Sequence, residues 1–333
     1  MKVSLALMPS YHPKELDNAF EEYLRVKKIQ KKFKERTIKD HKTHFEYFKR
    51  YLHQTGQNIT FVHEVDDDVC IRYWEYMYDK VKWDDHIHIG ENLNEKKIGL
   101  SQTTINLRTR SLKAQFNYYV KKGYTDRNPW QDFNISNLDA IPRYWSKAEL
   151  LRFFEAIDVN TFEGERDRAL FTFLLETGTR IGECLKLNEW DFDLESRKVH
   201  FPAEITKNGS PHTSFLKKDM TTMMKRLFKK NQDIKRNSLG GVFISSSGSR
   251  LKYAGVRDAL LKYAKKANIP DAHLHQFRHS FAVHYLLDGG EQASLKKIGG
   301  WKTLDALKIY QELKDDEAKQ QHQKYSPTNK LFD

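Results

Sequence analysis

Nowhere in its 333 residues does the chain carry about 18 consecutive apolar positions, so no segment reads as a membrane-spanning helix. Cysteine is nearly absent. Cys70 and Cys184 stand alone and form no CxxC, which argues against a disulfide framework and against a cysteine-rich zinc site, and fits a reducing compartment. Acidic residues are the minority charge, 45 against 57 Lys plus Arg, and the net +12 suits a polyanionic partner, although charge alone is weak evidence. There is no internal repeat, and the one low-complexity stretch is the polar tail "KDDEAKQQHQKYSPTNKLFD". The N-terminal "MKVSLALMPSYHPKELD" has only a short apolar run before polar, proline-containing sequence. These features set the expectation of a soluble, cytoplasmic protein, nucleoid-associated in a prokaryote, with no membrane partner.

What is present begins with length enough for two domains, each with its own core. From about 14 to 130 the pattern is helical. In "ERTIKDHKTHFEYFKRYLHQTG", Thr37 is read as an N-cap with Asp40 three residues on, His41, Phe45, Phe48 and Leu52 as the inward stripe, and Gly56 as the stop. Lys42 and Lys49 lie off that stripe and are candidate DNA contacts. "SQTTINLRTRSLKAQFNYYVKKG" reads as a helix from Ser101 to Gly123 that buries Ile105, Leu112, Phe116 and Tyr119. Its opposite face would carry Asn106, Arg110, Lys113, Asn117 and Lys121, a stripe that suits either a DNA groove or plain solvent. The stretch 84–99 is read as an irregular connection without an assigned role. The Asn-, Asp- and Pro-rich run after Asp126 places a boundary near residue 140, beyond which Ser146 and Glu149 form a capping box.

The second half is mainly helical with a small antiparallel β element. "ERDRALFTFLLETGTRIGECLKL" reads as a helix stopped at Gly178 in the left-handed region, with Arg180 starting the next one. Asn208-Gly209 is a two-residue hairpin signal, which puts Lys207 at a strand end beside the turn. The densest stretch is "HLHQFRHSFAVHYL" at 273–286, with four histidines and an arginine. On a 3.6-residue period His275, Arg278, His279 and Ala282 share one face, and Phe277, Phe281 and His284 the other. His275 and His279 have the i,i+4 spacing of a zinc helix, but the glutamate of HExxH is missing and Arg278 would repel a dication. Arginine with a titratable histidine suits a phosphodiester better. On this stretch alone three readings stay open: phosphate chemistry, a polar helix face without chemistry, and metal.

Taken in order, Arg180 in "TGTRIGECLKL", Lys207 at the hairpin, His275 and Arg278 in "HQFRHS", and Tyr310 in "GGWKTLDALKIY" resemble the tyrosine recombinases, or phage integrases. The family signature has an acid three residues after the arginine, here Glu183, and a His or Trp nine residues before the tyrosine, here Trp301. The motifs span residues 146 to 310, and "TINLRTRSLKAQFNYYVKKGYTDRNP" looks like the family's core-binding domain. The resemblance implies an N-terminal extension at 1–13, a helical DNA-binding domain at 14–139, and a catalytic domain at 140–333 with a tail from about 314 that packs on a neighbouring protomer. An extension of 13 residues is too short for the arm-binding domain of many phage integrases, so short core sites are expected. Two positions depart from the commoner pattern. Trp301 replaces histidine and can donate an N–H but not transfer a proton. His212 stands five residues after Lys207, where an arginine is frequent, which weakens a phosphate contact there.

The chemistry so implied is transesterification without metal or other cofactor. Tyr310 is the expected nucleophile, giving a 3′-phosphotyrosine; a phenol of pKa near 10 needs a base and charge stabilisation to attack at pH 7. Arg180 and Arg278 would clamp the phosphate oxygens, His275 would be the base or a phosphate donor, and Lys207 the acid for the 5′-oxygen. Trp301 would donate its indole N–H or anchor packing, Glu183 would orient Arg180, and His279 would support the helix. The expected partner is double-stranded DNA at specific sites, bound by a homotetramer on two sites, with accessory directionality proteins in prospect. The expected role is integration, excision or resolution of a mobile element. Rivals are a telomere resolvase or type IB topoisomerase-like transesterase, a non-catalytic DNA-binding regulator, and a metal-dependent nuclease.

Overall fold

A computed structural model describes residues 11–30, 33–79, 98–133, 142–207, 209–234, 240–304, 307 and 322–323. Tyr310, Asn208 and nearly all of the tail beyond 314 lie outside the described residues. The chain divides into two compact units, Met1–Leu138 and Asp139–Asp333. It is mainly helical with one small antiparallel sheet, as the sequence leads one to expect. No helix among the described residues is long and apolar enough to cross a membrane.

The first unit contains α1 (Leu16–Gln30), α2 (Glu35–Gln54), α3 (Asp67–Asp79) and α4 (Gln102–Lys122). Their inward faces are aromatic: Phe20 stacks on Phe45 at 3.9 Å, and Phe48 meets Tyr73 and Trp130 edge-on. Such pairs add specificity to the area they bury, because ring edges prefer ring faces. Helix α2 begins earlier than its capping signal suggests. Lys34, in extended conformation, precedes Glu35, so Thr37 lies inside the first turn. Asp40 is drawn instead to Arg36 one turn back, at 3.0 Å. Helix α4 matches its reading at both ends: Ser101 Oγ accepts from the Thr104 amide, and Gly123 closes the helix at φ +70°. Its buried face is wider than the apolar pattern, taking in Asn106, Arg108, Thr109, Ser111 and Gln115.

The second unit holds α5 (Lys147–Glu155), α6 (Phe162–Thr177), α7 (Ile181–Cys184), β1 (Phe192–Asp193), β2 (Lys198–Phe201), β3 (His212–Phe215), α8 (Lys218–Asp233), α9 (Tyr253–Lys266), α10 (His275–Leu287) and α11 (Gln292–Gly299). The capping box opening α5 is present, with Ser146 and Glu149 bonding reciprocally. The core gathers around Phe153, Phe171 and Phe277, the last two stacked at 5.2 Å. Trp145 belongs to this core and Trp130 to the other, so the polar stretch linking the units ends in an anchor on each side.

The sheet corrects one expectation. Strands β2 and β3 pair from Lys198↔Phe215 to Phe201↔His212, leaving residues 202–211 as the connection instead of a two-residue turn at Asn208-Gly209. Lys207 therefore sits inside a loop, away from either strand end. The reason is proline: Pro202 and Pro211 bracket the segment, and neither has an N–H to continue the ladder.

Candidate active site

Two helix ends and a loop assemble the site. Helix α6 stops at Gly178, φ +61°, where an added Cβ would lie 2.1 Å from the Phe281 ring. The reversal leaves Arg180 as the residue before α7, its side chain only partly buried. One turn on, the buried Glu183 receives three donors. Its Oε1 accepts from Arg180 Nη1 at 3.1 Å and from the backbone N–H of Lys207 at 2.8 Å, and its Oε2 faces Thr179 Oγ1 at 3.5 Å. One carboxylate thus ties the first arginine to the lysine loop, across 24 residues of sequence. Lys207 itself is exposed.

Arg278 is held differently. It is 3 % exposed, and its Nη1 donates to Gly178 O at 2.6 Å and Gly299 O at 2.8 Å. Those carbonyls belong to the C-terminal ends of α6 and α11, where the helix dipoles favour a cation. The guanidinium carbon lies over the Trp301 indole, 3.6 Å from its ring centre, in cation–π contact. The two-faced picture of this helix needs correction. Ala282 and Arg278, assigned to the open side, are buried along with Phe277 and Phe281, because α10 runs through the unit with packing on both sides. Ser280 Oγ accepts the Trp145 N–H, and His284 meets Trp145 O at 2.8 Å. Only the start of the helix opens outward, at His275.

The His275 imidazole has its pKa pushed down to about 4, first by burial of the ring among protein atoms, then by Arg278, Arg180, His273 and Lys207. The residue keeps access to solvent at the start of α10. His279, edge-on to His275 at 5.0 Å, is likewise pushed down to about 4, by burial and by its neighbouring histidines. This environment keeps the His275 ring neutral near pH 7, able to donate or accept a hydrogen bond, and leaves it a weak base until an anion beside it offsets the cations. Beside this group lies a cavity of about 540 Å³ lined by Arg180, Glu183, Thr206, His212 and Trp301, together with Lys296, Lys297 and Lys302. The sequence reading passed over these three lysines; their only signal was a basic flank around "IGGW".

The stripe assigned to DNA on α4 divides. Arg110, Asn117 and Lys121 are exposed, but Asn106 is 5 % exposed and accepts from Gln102 Nε2 at 3.0 Å, so it is withdrawn from an open face by the helix's broad burial. Lys113 donates to Gln131 O at 2.6 Å, and Asn117 Oδ1 accepts from Asn128. On α2, Lys42 is exposed, whereas Lys49 is paired with Asp17 at 2.8 Å.

Residues 143–317 match the phage integrase family, and residues 15–135 match the phage integrase SAM-like domain. The chain belongs to the phage integrase family. That membership makes it a DNA recombinase of the tyrosine class, with DNA as its partner. Among relatives, a tyrosine recombinase XerC from Bacillus licheniformis is 26% identical over 311 residues, 92% of this chain and 95% of that one. XerC from Oceanobacillus iheyensis is 26% identical over 231 residues, 68% and 76% of the two chains. Two solved structures share the fold. The Tn1549 transposon integrase in complex with transposon right end DNA superposes with a TM-score of 0.72 at 18% identity, over 93% of this chain and 99% of that one. XerH recombinase bound to difH gives 0.65 at 16% identity, over 91% and 82%.

Proposed function

We propose that this integrase-family chain cuts and rejoins DNA through a 3′-phosphotyrosine formed on Tyr310, with Arg180, Lys207, His275 and Arg278 carrying the chemistry. The observation that carries this reading is the convergence of Arg180, Lys207, His275 and Arg278: Glu183 ties Arg180 to the backbone of Lys207, and Arg278 follows His275 by three residues on α10. Cations gathered beside one cavity suit an anion, and a phosphodiester gains negative charge at its non-bridging oxygens during attack. His275 accepts the Tyr310 phenol proton, the tyrosine oxygen bonds to phosphorus, and the P–O5′ bond breaks as Lys207 protonates the departing oxygen. The rejoining strand's 5′-hydroxyl reverses the step, so no external energy enters.

The unit Met1–Leu138, with Lys42, Arg110 and Lys121 exposed, supplies positive surface for the duplex, and the exposed Asn117 a polar contact. By family likeness the working form is a homotetramer on two sites, its direction set by accessory proteins, acting on a mobile element. The test uses sheared DNA of the source genome, incubated with the full-length chain, denatured, and probed for protein-linked DNA. Wild type should capture fragments through their 3′ ends, and sequencing them reveals the site. Tyr310→Phe should capture none; capture that persists in that variant places the nucleophile elsewhere.

A further inference from the structure

His212 was read from sequence as a weakened phosphate contact, and its surroundings point elsewhere. Its ring lies flat on Phe201, a fully buried core residue, with centroids 4.4 Å apart and planes 3° from parallel. On its other side is Gly300, the left-handed residue at φ +63° that ends α11; an added Cβ there would come within 2.7 to 2.9 Å of three imidazole atoms. The ring therefore fills the gap between strand β3 and the turn Gly299–Gly300–Trp301. Two residues along β3, Ser214 Oγ donates to Ile298 O at 2.9 Å and ties the same strand to the same helix end. That turn is what holds Arg278, through the Gly299 carbonyl and the Trp301 indole face.

We propose that His212 is a positioning residue for Arg278: a flat plate, seated on Phe201, that sets the height of the Gly299–Trp301 turn and with it the guanidinium. The proposal rests on the recombinase reading above. A contiguous run of contacts leads from core to cation: Phe201, His212, Gly300, then Gly299 and Trp301, then Arg278. The imidazole Nε2 is buried and has no hydrogen-bond partner among the described residues, which suits a group used for its shape. Burial also lowers the pKa of the ring, ahead of the opposing pull of Glu183, so it is neutral where an arginine would be charged. The position five residues after Lys207 thus serves the second arginine, and links the strand leaving the lysine loop to it.

The experiment measures single-turnover covalent capture of a nicked duplex, built from a sequence recovered by the wild-type chain from sheared source-genome DNA. His212→Ala should slow capture at saturating DNA by roughly 30-fold while the DNA Kd stays within about twofold, because only transition-state alignment is lost. His212→Gln, whose planar amide can lie on Phe201, should recover to within about fivefold of wild type. Trp301→Leu should be slow by itself, and adding His212→Ala to it should slow it no more than about twofold further, since both act on Arg278. The role is overturned if His212→Ala weakens DNA binding with capture at saturation unchanged, if Gln is as slow as Ala, or if the two substitutions multiply. A wild-type chain that captures no DNA overturns the recombinase reading and the positioning role together, and that result appears before any variant is compared.

Discussion

In the N-terminal unit Lys49 reaches Asp17, Lys113 reaches the carbonyl of Gln131, and Asn117 accepts from Asn128, all within 32 residues of chain. In the C-terminal unit Arg278 reaches back 100 residues to Gly178 and forward 21 to Gly299, and is 3 % exposed. These three candidate DNA contacts of the first unit are therefore held near its rim, where water replaces a lost bond at little cost. The second fixes its cations by the packing of its whole interior, where a shift of a helix end displaces a charge. Binding and chemistry are thus separable: damage to the first unit should read out as affinity, and damage to the second as rate.

The largest expected effect comes from Arg278→Lys. An ammonium cannot span two carbonyls and lie over Trp301 as a guanidinium does, so capture should fall by about 10³-fold, roughly the 4 kcal/mol lost with one transition-state donor, while the DNA Kd moves only a few-fold. A variant that loses binding and keeps its rate would dissolve the contrast between the units. Glu183→Gln should come next. It retains an acceptor but loses the charge that pairs with Arg180, and should slow capture by about 10- to 100-fold and lower unfolding stability by about 1–3 kcal/mol in a denaturant titration. Unchanged rate with lowered stability would make Glu183 a core residue only.

The pH response sharpens the comparison further. His275 and His279 in the second unit and His44 in the first are all pushed down to about 4, chiefly by burial. Their folded pKa values lie below the unfolded 6.5, so the unfolded state binds more protons, and stability present above 6.5 is lost as pH falls toward 4. Tryptophan fluorescence of the full chain should show that loss, reduced in His275→Ala/His279→Ala and less so in His44→Ala. Equal effects from both would mean that acid acts on the two units alike. The smallest change is expected from Lys42→Ala or Arg110→Ala, each costing about 1 kcal/mol of DNA affinity and about one unit of salt slope, with capture at saturation intact. Asn106→Ala should leave affinity unchanged, and a loss there would restore the stripe as first read.

The family and the helix limits at Ser101, Gly123, Ser146 and Gly178 were legible because each depends on its own few residues: a motif of fixed spacing, a cap, a left-handed glycine. What was misread depends on distant packing. The burial of Asn106 follows from neighbours on every side of α4, and the burial of Arg278 from carbonyls at the ends of two other helices. The Asn208-Gly209 signal was sound as turn chemistry and failed because Pro202 and Pro211 end the strands first. His212 carries a side chain that suits a phosphate contact, and only Phe201 beneath it and Gly300 above it reveal a different use.

Glu183 makes Lys207 something other than a residue on a loose loop. The connection between β2 and β3 is held at its two strand ends and, among its described residues, by the Lys207 amide on the Glu183 carboxylate next to the buried Thr206. That amide is a pivot: it fixes the point from which the four methylenes of Lys207 carry its ammonium. Length added beyond Gly209 would leave the pivot in place, whereas length added between Pro202 and Thr206 would displace it. This chain should therefore tolerate an insertion on the downstream side of the loop better than one on the side that leads into the lysine.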